Sequence, residues 1–364
     1  MTYVDRVQAA LDAIRAQGRY RSVEAHQVRD AIDFSSNDYL ALATDPQVVE
    51  ALRHATRAGS GGARLLGGRH REHSLLEEEL AAWLGRDRAL LFSSGYLAAL
   101  GATTVLAGVT GSILSDERNH ASLIDGIRLA HAPRAIYPHG ELPRRSATPA
   151  VLVVSETIFS MDGDAIDPAS LLARLCDDDV LLVDEAHALG VAGPAGAGLA
   201  RTLEDRRVVV IGTLSKALGT LGGFVAGPAP VIDLLVNQAR SFIFDTALPP
   251  AIALAARVAL ALARKADDRR RRLFENVERL RVGLGKLGFP VLATASPIVP
   301  LVLGSEERAW SVARCLSERK INAPAIRPPT VAPGTSRLRF SIRADHTAEQ
   351  VDLLLNALQR CIGS

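Results

Sequence analysis

The chain has 364 residues, 48% of them apolar and 23% charged, the balance of a globular protein with a large core rather than of a disordered one. Forty-two Lys and Arg stand against 40 Asp and Glu, a net charge of +2, so no electrostatic footprint for nucleic acid or an anionic membrane exists and small molecules are the expected ligands. No run approaches the roughly 20 apolar residues of a membrane span, the first residues lack an apolar signal core, and Cys176, Cys315 and Cys361 are too few and scattered for a disulfide framework or a CxxC metal site, which predicts a reducing, cytoplasmic setting without a metal.

Val4, Val7, Leu11 and Ile14 recur at helical spacing, which predicts an amphipathic helix over the first 17 residues that packs on something larger. Asp45-Pro46 is a cap followed by proline at the first helical position, and it starts a second helix that runs to about His54. From Ala89 short apolar runs alternate with helical patterns: Ala89 to Phe92, Val151 to Ser155, Val180 to Val183 and Val208 to Gly212 read as buried strands, a rhythm that predicts a mainly parallel sheet flanked by helices. After Pro249-Pro250 one long helical region rich in alanine and arginine extends to about Leu287, followed by strands near Val299 to Val302 and Arg337 to Ile342 with helices between them. The run Arg269 to Arg272 reads as a solvated helix face. The expected organisation is an N-terminal helix and arm over 1–40, a large domain over 41–250 and a smaller α+β domain over 251–364.

The first chemical signal is Asp184-Glu185-Ala186-His187, an acid ending a buried strand with a histidine three residues on, at the sheet edge where open α/β folds bind ligands. Alone it reads as a turn cap, a metal or nucleotide site, or a carboxylate serving a bound heterocycle. The same four letters spell a helicase magnesium motif, but that needs a GxxxxGK[ST] phosphate loop, and the glycine-rich stretch Gly59 to Gly68 contains no Lys-Ser or Lys-Thr. About 30 residues after Asp184, Lys216 follows the strand Val208 to Gly212 among the small residues Thr213, Ser215, Ala217 and Gly219. A lysine that can form a Schiff base, an acid that can hold a pyridinium proton and small neighbours that admit a flat ring together suit pyridoxal 5'-phosphate. Ser93-Ser94-Gly95-Tyr96, between a strand and a helical pattern, offers backbone N–H groups to the phosphate, although by itself it is an ordinary strand-to-helix turn.

These motifs, with Ser35-Ser36-Asn37-Asp38-Tyr39-Leu40, Asn119-His120-Ala121-Ser122-Leu123, Phe159-Ser160-Met161-Asp162-Gly163-Asp164 and Ala325-Ile326-Arg327-Pro328-Pro329-Thr330 followed by Arg337-Leu338-Arg339, resemble the α-oxoamine synthases over essentially the whole chain. The resemblance implies a fold type I pyridoxal phosphate transferase, with Lys216 as the Schiff-base lysine and Asp184 as the partner of the ring nitrogen. It further implies that His120 stacks on the ring, Ser160 and His187 surround its phenolic oxygen, Gly95, Tyr96 and Thr213 contact the phosphate, and Thr246 reaches the phosphate of a neighbouring subunit in a homodimer. Arg339 matches the arginine that holds the amino-acid carboxylate, a task suited to a planar guanidinium, and Arg21, Arg327 and Thr330 match positions on the acyl substrate. Ala188, where many members carry glycine or serine, and Arg64-Leu65-Leu66, in place of a more polar loop, are departures that bear on the acyl pocket.

The implied reaction is the decarboxylative condensation of L-alanine with a pimeloyl thioester, on coenzyme A or an acyl carrier protein, in biotin biosynthesis. The lysine amine would serve twice, as anchor and as base for the alanine α-proton, and the arginines Arg327 and Arg21 would favour the far carboxylate of the pimeloyl chain. The alternatives are an α-oxoamine synthase using another amino acid or acyl group, a silent paralogous subunit, which the presence of Lys216 opposes, and a pyridoxal-binding regulator, for which the short N-terminal segment leaves no DNA-binding domain.

Overall fold

A computed structural model describes residues 1–21, 30–145, 149–291 and 296–363. In chain order the elements are α1 (Tyr3–Ala16), β1 (Ile32–Asp33), α2 (Pro46–Arg53), α3 (Arg71–Leu84), β2 (Arg88–Phe92), α4 (Gly95–Ala107), β3 (Ser112–Asp116), α5 (Ala121–Leu129), β4 (Arg134–Tyr137), β5 (Val151–Glu156), α6 (Pro168–Leu172) and β6 (Val180–Asp184). They continue as β7 (Val208–Thr213), β8 (Gly223–Gly227), α7 (Ala229–Gln238), α8 (Arg240–Ile243), α9 (Pro250–Arg264), α10 (Asp267–Lys286), β9 (Ile298–Gly304), α11 (Glu306–Ser317), β10 (Ile321–Asn322), β11 (Ala325–Ile326), β12 (Ser336–Ser341) and α12 (Ala348–Ile362).

A seven-stranded sheet in the order β2-β8-β7-β6-β5-β3-β4 forms the frame, parallel except for β8, which runs antiparallel to both neighbours. The strands β5 and β7 are buried at every position, because helices cover both faces and unbroken apolar runs fit that setting. One face packs on α4, α5, α7 and α8 through Ala98, Ala102, Leu123, Leu235 and Phe242, the other on α2, α3 and α9 through Val48, Leu76, Leu80, Ala256 and Ala259. Because β3, β5, β6 and β7 point the same way, Asp116, Glu156, Asp184 and Thr213 end at one edge of the sheet, the edge at which such folds bind ligands.

Behind α11 and α12 the second sheet has β12 antiparallel to both β9 and β11. The segment after β1 docks on this layer: Ser341 N donates to Phe34 O at 2.8 Å, Ala344 N to Tyr39 O at 2.8 Å, and His346 lies against the Phe34 ring with centroids 4.4 Å apart. This docking carries Asn37 and Tyr39 to the mouth of the large sheet.

Several expectations change. The helical region to Leu287 is two helices, broken at Lys265-Ala266; no Gly or Pro marks the break, and Asp267 and Asp268 open α10 where acidic side chains favour a helix start. The arginine run is not simply a solvated face. Arg269 donates to Leu40 O at 2.8 Å and pairs with Asp45, buried Arg270 donates to Gly190 O at 3.0 Å, and Arg272 reaches Ala344 O, so three of the four tie α10 to other segments. Cys315 on α11 and Cys361 on α12 form a disulfide across 46 residues, since helix packing, not sequence spacing, brings them together; Cys176 is free. Helix α1 buries no residue and leaves Val4, Val7 and Ile14 exposed, held instead by polar ties from Arg19 to Glu306 at 3.2 Å and from Arg327 to Gly18 O at 2.8 Å. No described helix is long and apolar enough to cross a membrane.

Candidate active site

Strand β7 ends at Thr213, and the turn that follows presents Lys216, half-buried, with its Nζ 2.9 Å from Nε2 of the buried His187. His187 sits one turn beyond the end of β6, and its Nδ1 lies 2.6 Å from the Tyr39 hydroxyl. Burial pulls the lysine down to about 8, against the pull of Asp184 and Glu156, and it holds the imidazole well below its ordinary value, with Lys216 and Arg339 adding to the effect. The imidazole is therefore uncharged at neutral pH, and the amine is half neutral by about pH 8.

Asp184 closes β6 with Oδ1 accepting from Ala186 N at 2.9 Å. Beside it in register on β5 is Glu156, whose Oε1 accepts from His120 N at 2.6 Å. Burial raises both carboxyls above their usual range; Lys216 opposes this at both, and at Glu156 the neighbouring Asp184 charge adds to burial. Among the described residues no ion pair joins Asp184 to the lysine, although each charge is felt at the other. His120 caps α5 with its Nδ1 2.8 Å from Ser122 Oγ, at the carboxyl end of β3 and beside Glu156.

Arg339, buried on β12, donates to Asn37 Oδ1 at 3.1 Å, to Ser341 Oγ at 3.0 Å and through Nε to the Ser160 carbonyl at 2.5 Å. It thus clamps the 159–164 turn to the second sheet, and among the described bonds it is the Ser160 carbonyl, not the hydroxyl, that is engaged. The turn is further fixed by His139, between Asp116 at 3.0 Å and Asp164 at 2.5 Å.

At the other end Ser94 caps α4 by accepting from Leu97 N at 3.2 Å, and among the described bonds the N–H groups of Gly95 and Tyr96 have no acceptor. A Cβ on Gly95 would stand 3.1 Å from Thr213 Cβ, and one on Gly223 only 2.4 Å from the Gly95 backbone, so glycine here lets three segments converge. Thr213 Oγ1 lies 2.8 Å from Ser215 Oγ. The open helix start beside these hydroxyls suits a phosphate, and with Asp184 and Lys216 at the ends of neighbouring strands the donor set fits pyridoxal phosphate.

The structure therefore gathers Lys216, His187, Asp184, His120, Arg339, Gly95 and Thr213 at one sheet edge. Tyr96 turns its ring outward, bonded to Asp125, leaving only its backbone toward the turn. Thr246 is exposed, bridged to Ala63, and no described contact joins it to the cluster. Arg327 stacks 5.0 Å over the Trp310 ring, Thr330 is exposed one turn later and Arg21 is exposed past α1; no described contact joins these three to the cluster. Sequence reading assigned no role to Glu156, Asn37 or Tyr39. The strand-end position that singled out Asp184 would have found Glu156, whereas Asn37 and Tyr39 owe their place to the docking of the N-terminal segment.

An open, mostly parallel sheet with an acid and a lysine at the carboxyl ends of neighbouring strands defines a fold type I pyridoxal phosphate enzyme. Residues 29–358 match the model of the aminotransferase class I and II family. A curated relative, the 8-amino-7-oxononanoate synthase of Anaeromyxobacter dehalogenans (strain 2CP-1 / ATCC BAA-258), is 47% identical, covering 98% of this chain and 95% of its own. Among solved structures, SPT with PLP as an internal aldimine superposes with a TM-score of 0.87 at 31% identity, covering 98% and 96% of the two chains. The 8-amino-7-oxononanoate synthase of Francisella tularensis superposes with a TM-score of 0.79 at 28% identity, covering 92% and 98%. The chain belongs to the class I and II aminotransferase family and, within it, with the 8-amino-7-oxononanoate synthases, as a pyridoxal phosphate-dependent acyltransferase.

Proposed function

We propose that the chain condenses L-alanine with a pimeloyl thioester, carried by coenzyme A or an acyl carrier protein, releasing carbon dioxide, the free thiol and 8-amino-7-oxononanoate in biotin biosynthesis. The observation that carries this reading is the placement of Lys216 and Asp184 at the ends of adjacent strands with Arg339 reaching toward them. Pyridoxal phosphate, when bound, supplies an electron sink for the carbanion at the alanine α-carbon.

Lys216 anchors the cofactor through its Nζ, and the freed amine, depressed to about 8, takes the α-proton and later returns one. Asp184 keeps a proton on the ring nitrogen, and His120 covers the ring face. Gly95, Tyr96 and Thr213 bind the phosphate through backbone N–H groups and a hydroxyl, with Thr246 completing that site in a partner subunit of a homodimer. Arg339 holds the alanine carboxylate by paired charge-assisted bonds. Arg327, Thr330 and Arg21 line the acyl path, where a guanidinium would favour a chain ending in a carboxylate. Ser160 and His187 flank the phenolic oxygen.

The test is an absorbance spectrum of the cofactor-loaded protein, with a Schiff-base band expected at about 420 nm, before and after L-alanine or glycine, followed by pimeloyl thioester with thiol release monitored. Perturbation by alanine and thiol release with the pimeloyl donor support the reading; a response to glycine alone replaces it with another α-oxoamine synthase. That second reading is kept because the SPT structure superposes with the higher TM-score, 0.87 against 0.79.

A further inference from the structure

Tyr39 is fully buried, on the segment that docks on the second sheet. Its hydroxyl lies 2.6 Å from His187 Nδ1 and 3.1 Å from Asn37 Oδ1. The same Asn37 oxygen is 3.1 Å from Arg339 Nη1 and 3.2 Å from Ser341 Oγ. A guanidinium nitrogen can only donate, so the Asn37 atom that meets it must be the oxygen and not the amide nitrogen. A carbonyl oxygen in turn cannot donate, so the Tyr39–Asn37 contact is a hydrogen bond only with the hydroxyl proton on it. Both Tyr39 contacts are then satisfied together in one arrangement, with Tyr39 donating to Asn37 and Nδ1–H of His187 donating to the Tyr39 oxygen. Nε2 is consequently the bare nitrogen, and it is the one 2.9 Å from Lys216 Nζ.

We propose that Tyr39 is a positioning residue that fixes His187 in its Nδ1–H form, so that Nε2 presents a lone pair to the Lys216 amine. The inference rests on the proposed role of Lys216 for its consequence but not for its geometry. Four hydrogen bonds in series, from Arg339 through Asn37, Tyr39 and His187 to Lys216, make the arginine that would hold the substrate carboxylate the first member of a chain ending on the lysine. Each donor in it is set by the one before, starting from a guanidinium that has no choice of role. The charged or titratable groups facing His187 are Lys216, Arg339 and His120, together with Tyr39. Burial pushes the Tyr39 hydroxyl up to about 12, which keeps its proton in place throughout the working range.

The experiment is nitrogen-15 NMR of the full-length, histidine-labelled chain freed of cofactor, with the His187 signals assigned from His187→Gln. The expected result is a protonated Nδ1 and a bare Nε2 in the unmodified chain. In Tyr39→Phe the Nε2–H form should gain population, and because that form donates to the neutral amine, the pH midpoint for capture of added pyridoxal phosphate should fall by about one unit. A dominant Nε2–H form in the unmodified chain, or a Tyr39→Phe variant with unchanged nitrogen shifts and an unchanged capture profile, overturns the proposal. The unmodified-chain measurement decides it even if the variant does not fold. Failure of the functional reading is separate: Lys216→Ala would then still capture pyridoxal phosphate, whatever the tautomer of His187.

Discussion

The Lys216 amine and the His187 imidazole lie 2.9 Å apart with both titrations displaced downward, chiefly by burial. Desolvation penalises the cation at each site, and each positive charge would also penalise the other. The pair thus offers an amine that is nucleophilic near neutrality beside a neighbour that does not itself take the proton.

Capture of pyridoxal phosphate by the cofactor-free chain should therefore rise through pH 8 and level off above pH 9, where an ordinary exposed lysine would still be gaining. The sign follows from the depressed value of about 8: only the neutral amine attacks, so its fraction is already one half at that pH. Stopped-flow absorbance at about 420 nm reads it. Lys216→Ala should lose both the band and turnover, and a midpoint above pH 10 would show that the lysine is not desolvated in solution.

The two strand-end carboxyls should answer oppositely to amidation. Asp184→Asn removes the anion that holds the ring-nitrogen proton, and turnover should fall by at least about 100-fold. Glu156→Gln replaces a carboxyl already driven toward its neutral form and keeps an oxygen to accept from His120 N, so turnover should stay within a few-fold. Steady-state kinetics of the two variants, with cofactor occupancy checked by absorbance, decide the matter. A large loss in Glu156→Gln would mean that Glu156, rather than Asp184, carries the charge.

The sheet and its chemistry were legible where sequence has one physical solution. Val151 to Ser155, Val180 to Val183 and Val208 to Gly212 are apolar without interruption and became the central strands β5, β6 and β7. Strands β3, β4 and β8 were not legible. Ser112 and Ser115 interrupt the first, Arg134 to Ile136 of the second are exposed at the sheet edge, and the third is bracketed by Gly223 and Gly227. The pairing of Cys315 with Cys361 and the bridging by Arg269 and Arg270 depend on how helices pack, which no local pattern encodes. The same holds for Tyr39: its motif is visible in the sequence, but its contact with His187, 148 residues away, is made only when β12 and the N-terminal segment come together.

Arg327 should set the preference among acyl donors. Its guanidinium is held over Trp310 and by Gly18 O, oriented but without a carboxylate partner among the described ion pairs. A charge-assisted bond to the far carboxylate of a pimeloyl chain is worth about 1.5–3 kcal/mol, so Arg327→Ala should raise KM for the pimeloyl thioester roughly 10- to 100-fold while leaving that for an octanoyl thioester little changed. Equal effects on both donors would place the arginine in structure rather than in selectivity.

His139 should make stability pH-dependent between about pH 6.5 and 9. Burial disfavours its cation, but the bonds to Asp116 and Asp164 outweigh that and raise it from 6.5 to about 9. A folded-state value above the unfolded one means that the protonated histidine binds more tightly to the folded chain, so its stabilisation is complete below about pH 6.5 and is lost as the pH rises through 9. Discounted for partial exposure, the contribution is on the order of 2 kcal/mol. The structural route is short: the neutral ring can donate to only one of the two carboxylates, so the bridge from the Phe159–Asp164 turn to β3 loses one of its two bonds and a bare ring nitrogen faces the other carboxylate. Urea unfolding of the parent chain and His139→Gln, at one protein concentration, should give a difference that is largest at pH 6.5 and shrinks toward pH 9.5. Taking the difference between the two chains cancels the titration of every group they share, so a gap that stays constant across that range would mean that His139 is neutral in the folded protein and that packing against Phe159, at 4.4 Å between centroids, is all it contributes.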